Sequence, residues 1–213
     1  MELDRTTITK VFGAIDCQGF MIGKQFQVRE LAMKTINDDP EVYLVKPSIN
    51  YHQLSKESKR MIIHQSSNLH NLSYENGNFD ITQNQVLTKI KDWINKNSGD
   101  IRPLVAVLNG QLAKNLSDAG IAYVDLTIRA HYFPSSKCLF RYGRQAFFRS
   151  PLPHCDNHVR EPSPCNVRRC AREKVVYICH WLIHNTGGVI FGIKIAQNDY
   201  STLLDENVFK DEV

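Results

Sequence analysis

Between His154 and Ala171 the chain gathers Cys155, His158, Cys165 and Cys170 into one short stretch. Thiolate sulfur and imidazole nitrogen at such loop-compatible spacings are the donor types of a tetrahedral Zn²⁺ site. Pro162 and Pro164 exclude helix before Cys165, and an apolar-periodic segment begins right after it. The chemistry expected is structural: a loop that cannot pack itself is pinned by metal at a helix start. The alternative is a set of ordinary buried or free thiols. His154 is a spare donor that more simply faces solvent. Cys17, Cys138 and Cys179 read as small buried hydrophobes.

The same region carries a basic surplus. From 129 to 174, Arg129, Lys137, Arg141, Arg144, Arg149, Arg160, Arg168, Arg169, Arg172 and Lys174 face only Asp156, Glu161 and Glu173. Tyr132, Phe133, Phe140, Tyr142, Phe147 and Phe148 interleave with them. Guanidinium groups suit phosphates and flat rings suit bases, so this stretch is the expected nucleic-acid surface. Arg141, Arg144, Arg149, Arg168, Arg169 and Arg172 are its expected contacts. The bland alternative is a solvated face over an ordinary aromatic core.

Acids are sparser. Asp16 lies near the end of the first apolar segment, where it either ligates a cation or caps a turn at Gly19. Asp125 carries the same ambiguity. His180 and His184 stand four apart on a helical segment, but Trp181 and Leu182 beside them favour plain helix-face residues. No Gly-rich phosphate loop and no leucine heptad is present.

The elements that must position these residues follow from period. Ile8 to Asp16, ending at Gly19, reads as a strand; Gln25 to Thr35 alternates after a turn at Gly23; Val42 to Val45 closes at Pro47. Two hairpin-like connections imply an antiparallel meander. Leu54, Met61, Ile62 and Leu69 form a helical stripe capped by Ser55. A second helix, capped by Thr82, buries Val86, Ile90, Trp93 and Ile94. A strand from Leu104 to Leu108, a helix from Gln111 to Ala119 stopped by Gly120, and a strand from Ala122 to Leu126 come next. After the long basic loop, Ala171, Val175, Ile178 and Leu182 mark a final helix ended by Gly187 and Gly188.

That order predicts an α/β fold: a five-stranded mixed sheet of ribonuclease-H-like type, flanked by helices, with a zinc-pinned loop before the C-terminal helix. The 213 residues, 42% hydrophobic and 23% charged, suffice for one domain over 1–195, with 196–213 an acidic, loose tail. No apolar run approaches the roughly 20 residues of a membrane span. The first residues lack the basic and apolar blocks of a signal peptide. A reducing compartment, cytoplasm or nucleus, is therefore expected, with no membrane partner.

Ala14-Ile15-Asp16-Cys17-Gln18-Gly19-Phe20, followed by Val28-Arg29-Glu30-Leu31-Ala32, resembles the first motif of the DEDD exonucleases. Val107 to Leu116, with Val124-Asp125-Leu126 after it, is similar to their second. Those enzymes hold two Mg²⁺ ions between four acids. Asp16 matches the first acid, but Gln18 stands where the second carboxylate belongs. Asn109 matches, whereas Ala113 falls at an expected Asp, and the final helix lacks the His-x4-Asp pattern. The resemblance thus implies that Asp16, Gln18 and Asp125 are vestigial.

A narrower resemblance is to the Maelstrom domain of the piRNA pathway, a DEDD-like fold with a Glu-Cys-His-Cys zinc site. Cys155-x2-His158-x6-Cys165 fits its cluster, and Glu30 is the matching Glu. This implies Zn²⁺ on Glu30, Cys155, His158 and Cys165, with Cys170 as the rival fourth ligand. Cys170 is expected one and a half turns inside the final helix. The function implied is a catalytically decayed exonuclease-fold domain binding single-stranded RNA or a protein partner in small-RNA or transposon silencing. An atypical, metal-independent ribonuclease and a pure protein-interaction scaffold are the alternatives.

Overall fold

A computed structural model of the chain describes residues 10–75, 77–98, 104–127, 170–185, 189–190 and 193–194. The β-branched and apolar first segment forms β1 (Val11–Ile22), and the alternating second forms β2 (Gln25–Thr35). Gly23, at φ +59°, makes the tight link between them. β1 does not stop at Gly19 as the sequence suggests. The register shifts between Gln18 and Gly19 and pairing then resumes to Ile22. A Cβ at Gly19 would lie 2.0 Å from the Gln27 carbonyl oxygen, so the glycine serves a bulge rather than a turn.

β3 (Glu41–Lys46) completes the antiparallel meander. β5 (Leu104–Val107) and β6 (Tyr123–Asp125) add in parallel on the other side of β1. The sheet has six strands, one more than expected, in the order β4-β3-β2-β1-β5-β6. The extra strand, β4 (Ile81–Thr82), is a two-residue parallel addition to β3. It is too short to leave a periodic signal. Outside the sheet, β7 (Val189–Ile190) and β8 (Ile193–Lys194) pair as a small antiparallel ribbon.

The helices start where capping chemistry places them. Ser55 accepts from the Ser58 amide at the head of α1 (Lys56–Gln65). The Thr82 amide donates to Gln85 Oε1, 2.9 Å away, ahead of α2 (Val86–Ser98). Asn109 Oδ1 accepts from the amides of Gln111 and Leu112 to open α3 (Gly110–Asp118). α4 spans Ala171–Asn185.

Two apolar layers sandwich the sheet. On one face α2 and α3 bury Val86, Ile90, Trp93, Ile94, Leu112 and Leu116 against Phe12, Ile15, Leu31, Met33 and Val105. On the other, α4 buries Ala171, Val175, Ile178 and Leu182 against Val11, Ala14, Ala32 and Ala106. Each fully buried Val, Ile or Leu contributes roughly 1.5–3 kcal/mol, so α4 is held firmly as a lid over β1 and β2.

The α1 stripe is corrected. Leu54 and Ile62 are buried, but Met61 and Leu69 are exposed, as is Ile63. A π-helical turn over Ser66–His70 changes the phase after α1. The face applied to the body there is Ile62, Gln65 and His70, with Gln65 Oε1 accepting from the Met21 amide at 3.0 Å. Among the described residues, no helix is long and apolar enough to cross a membrane.

Candidate functional site

Successive side chains of a strand alternate between faces. Asp16 and Gln18 therefore emerge on the α4 side of β1, while Ile15 and Cys17 enter the α2–α3 layer. In the β1–β2 register Gln18 lies opposite Glu30, so Glu30 shares that side. A small polar island thus sits beneath an otherwise apolar helix. It contains Asp16 and Glu30, both without exposed surface, and Gln18, which is also buried.

The helix supplies the counter-charge. Lys174 Nζ stands 2.9 Å from Asp16 Oδ2, and the lysine side chain is only 12% exposed. Gln18 Nε2 adds a long 3.5 Å contact to the same oxygen. Among the described residues, no donor meets Asp16 Oδ1 at hydrogen-bond geometry. Glu30 Oε2 accepts from the Ala171 amide at 2.9 Å. The carboxylate thereby caps the first turn of α4, where the helix dipole favours negative charge.

Burial raises the Asp16 carboxyl above its ordinary range, with Lys174 opposing and Glu30 reinforcing the shift. Desolvation outweighs the ion pair. A carboxyl raised in the folded state stabilises the fold fully only below its unfolded pKa, and that contribution is lost as pH rises through the folded value. Ionising Asp16 therefore costs the fold stability despite the lysine beside it.

The other polar residues of the two exonuclease-like motifs take plainer roles. Asp125 is half-buried, and its Oδ1 accepts from the amide and hydroxyl of Thr127 at 2.9 and 2.6 Å. That is a turn cap, one of the two roles expected of it. Asp16 is not one: it lies in the middle of β1. Asn109, besides opening α3, donates from Nδ2 to the Cys17 carbonyl at 3.0 Å, tying α3 to β1. Ala113 is a core residue.

Cys17 and Cys179 are buried, and burial pushes both thiols up, Cys179 to about 12. Both stay protonated, as small hydrophobes should. Cys170 does not lie inside the final helix. α4 begins at Ala171, and the Cys170 carbonyl accepts the first helical bond from the Lys174 amide at 3.1 Å. A helix counted from Cys165 overruns this boundary because the apolar stripe starts only at Ala171. Cys170 is buried at the α4 threshold, directly preceding the amide that Glu30 caps. The two rivals for the fourth zinc position thus meet at one helix start.

Cys155, His158 and Cys165 lie outside the described residues, as do Arg141, Arg144, Arg149, Arg168 and Arg169. Arg172 is half-buried on α4. Among the described residues, no three His, Cys, Asp or Glu side chains converge to hold a metal ion.

The chain matches no known protein-family model and no curated protein sequence. Sequence reasoning misses two residues that matter. Lys174 sits three positions after Ala171 and four before Ile178, inside the buried stripe of α4. A lysine at a core-facing position signals a buried acid opposite. Arg29 is the other: its Nε donates to the Ser73 carbonyl at 2.7 Å, and its guanidinium lies 4.8 Å from the Phe79 ring centroid. Its side chain knits the connecting loop to β2.

His180 gives the α4 layer a pH signature. Burial, with Lys34 nearby, lowers its pKa to about 4. The unfolded chain therefore binds a proton that the folded one refuses between about 6.5 and 4. Stability is expected to fall as pH drops through that window, by on the order of 2–3 kcal/mol. His180→Phe should flatten this limb; urea midpoints at pH 7 and pH 5 check it.

Proposed function

We propose that this chain is a catalytically decayed, ribonuclease-H-like domain that binds single-stranded RNA and carries a structural zinc beside its last helix. One observation carries the reading. The single acid retained from an exonuclease first motif, Asp16, is buried and paired with the Lys174 ammonium. Gln18 and Ala113 stand where two further metal-holding carboxylates belong. A neutral amide and a methyl group are poor substitutes, so two-metal chemistry is lost while the scaffold persists. The fold supports the assignment through its strand order: an antiparallel β1–β3 meander with β5 and β6 added in parallel beside β1.

Zn²⁺ on Cys155, His158 and Cys165, completed by Glu30 or Cys170, would pin the preceding loop to the α4 threshold. The zinc would supply cross-linking, not catalysis. The basic, aromatic stretch 129–172 would then be held beside the helix as an RNA surface. Its charge and ring content favour backbone contacts with stacking over base-specific recognition. A nuclear or cytoplasmic site and a role in small-RNA silencing fit this chemistry.

The test is a salt series on a single-stranded RNA. Affinity in the micromolar range should weaken as salt rises, because each neutralised phosphate releases a counterion. Arg141→Glu, Arg144→Glu and Arg149→Glu combined should abolish binding while leaving the thermal midpoint nearly unchanged. Mg²⁺ should support no exonucleolytic shortening in the same samples. Full binding by the triple variant would transfer the function to a protein partner. The exposed Met61, Ile63 and Leu69 favour that second reading: adaptable apolar side chains beside Lys59 and Arg60 suit an acidic, amphipathic partner.

A further inference from the structure

α1 turns outward a face that the fold does not use. Lys56, Lys59, Arg60 and Ile63 follow the i, i+3, i+4, i+7 spacing of one helix face, directed away from the buried Ile62 and Gln65. Lys56 and Arg60 are exposed, and among the described residues no carboxylate pairs with them or with Lys59. Glu57 is the helix's own single acid. Like charges one turn apart repel, so this face gains from an anionic neighbour. Ile63, set among the cations, is 57% exposed, the most open large apolar side chain among the described residues. An isolated apolar surface residue is ordinary. One framed by uncompensated cations specifies a ligand that brings acids and an apolar side chain together. Nucleic acid fits less well. Tyr51, the aromatic ring beside this face, has Lys59 Nζ 5.5 Å from its centroid and the Tyr74 ring 6.0 Å away. It is engaged within the fold and is no open platform for a base.

The chain itself carries a segment of the required kind. Leu203-Leu204-Asp205-Glu206-Asn207-Val208-Phe209-Lys210-Asp211-Glu212-Val213 alternates apolar pairs with acidic pairs, four acids against one lysine. It lies outside the described residues. The other acid-rich run, Asp38 to Glu41, is already engaged: Asp38 with Thr35, and Glu41 with Tyr43 and Lys96.

We propose that the outward face of α1 is a docking surface for an acidic, apolar segment, and that residues 203–213 of the same chain are its occupant. Residues 195–202 can span about 30 Å when extended, so the segment is not confined to the neighbourhood of β8. Its carboxylates neutralise Lys56, Lys59 and Arg60 while an apolar side chain covers Ile63. The charges are exposed, so the contact weakens with salt, and an acidic partner of the same pattern and higher affinity displaces it. The inference names an occupant for the protein-partner reading of this helix and depends on neither RNA nor zinc.

The experiment treats the full chain with a carbodiimide, which joins a carboxylate to an amine where the two touch, and maps the products by peptide mass spectrometry. Cross-links within one chain are expected from Lys56 or Lys59 to Asp205, Glu206, Asp211 or Glu212. Arg60→Glu/Ile63→Ala keeps both lysines and should lose most of this product. A fluorescent peptide of residues 203–213 should bind the full chain carrying Asp205→Asn, Glu206→Gln, Asp211→Asn and Glu212→Gln. It should bind the parent on the order of 10-fold more weakly, because the parent's own segment competes. Ile63→Ala on the quadruple background should weaken the peptide by on the order of 10-fold, the effect of uncovering one aliphatic side chain.

Absence of the intrachain cross-link overturns the proposal, as does peptide binding that survives Lys56→Glu/Arg60→Glu. Lys56→Gln/Arg60→Gln takes over that role if the reversed variant misfolds. Cross-links found only between copies also overturn it and assign the face to a second copy. A charge-reversed variant that loses RNA binding but keeps the peptide assigns the face to nucleic acid instead. RNA binding by the parent is measured alongside, so that the main functional reading and this inference can fail separately.

Discussion

Asp16→Asn and Lys174→Met should each destabilise the protein by about 3–5 kcal/mol, because each leaves its partner charge buried and unpaired. Asp16 is fully enclosed and Lys174 nearly so, which excludes the small values typical of surface pairs. The double variant Asp16→Asn/Lys174→Met should cost less than the sum. Its coupling energy should be on the order of 2 kcal/mol. With both charges gone, the desolvation that raises the Asp16 carboxyl no longer opposes folding. Urea midpoints at constant slope measure all three. Simple additivity would mean that the two side chains do not act as a pair in solution. A single substitution costing under about 1 kcal/mol would place them in water rather than under α4.

This pair also shows where sequence reasoning stops. Strand and helix period survives in one dimension, so β2 is legible to the residue, and the buried faces of α2 and α4 are legible as stripes. Caps at Ser55, Thr82 and Asn109 are local chemistry, but only the first two stand out in the sequence as caps. The bulge at Gly19 is not legible, because a glycine after Cys17 and Gln18 writes the same signal for a turn and for a close strand approach. Leu69 misleads because a π-turn shifts the phase of the stripe without any proline or glycine to mark it, whereas Met61 lies before that turn, one residue off the buried Ile62 on the helix surface.

The site is half visible. Asp16 and Glu30 stand out through a resemblance to known motifs, but nothing local says which charge reaches them. Lys174 lies well over a hundred residues away in sequence, and only the packing of α4 across β1 and β2 brings it to Asp16. The Glu30 bond to the Ala171 amide is equally non-local. It replaces a helix-position argument about Cys170 with an observed meeting point at the head of α4.

That meeting point sets the terms for the zinc experiment, whose effect is expected to be the largest of all. The purified chain should carry about one Zn²⁺, and Cys155→Ala or His158→Ala should release it and unfold or aggregate the protein. Structural zinc contributes about 10 kcal/mol or more to small metal-dependent folds; the two apolar layers here should soften the dependence. Well-folded protein devoid of zinc under chelator-free purification would end the idea. The fourth ligand needs a different readout. Glu30 caps α4, so Glu30→Gln will lower stability even if the carboxylate never touches metal. Stoichiometry must decide instead. Glu30→Gln should lose zinc if the carboxylate is the ligand. If it keeps zinc with undiminished affinity while Cys170→Ala loses it, the all-local set of Cys155, His158, Cys165 and Cys170 is the site, and Glu30 serves only the helix.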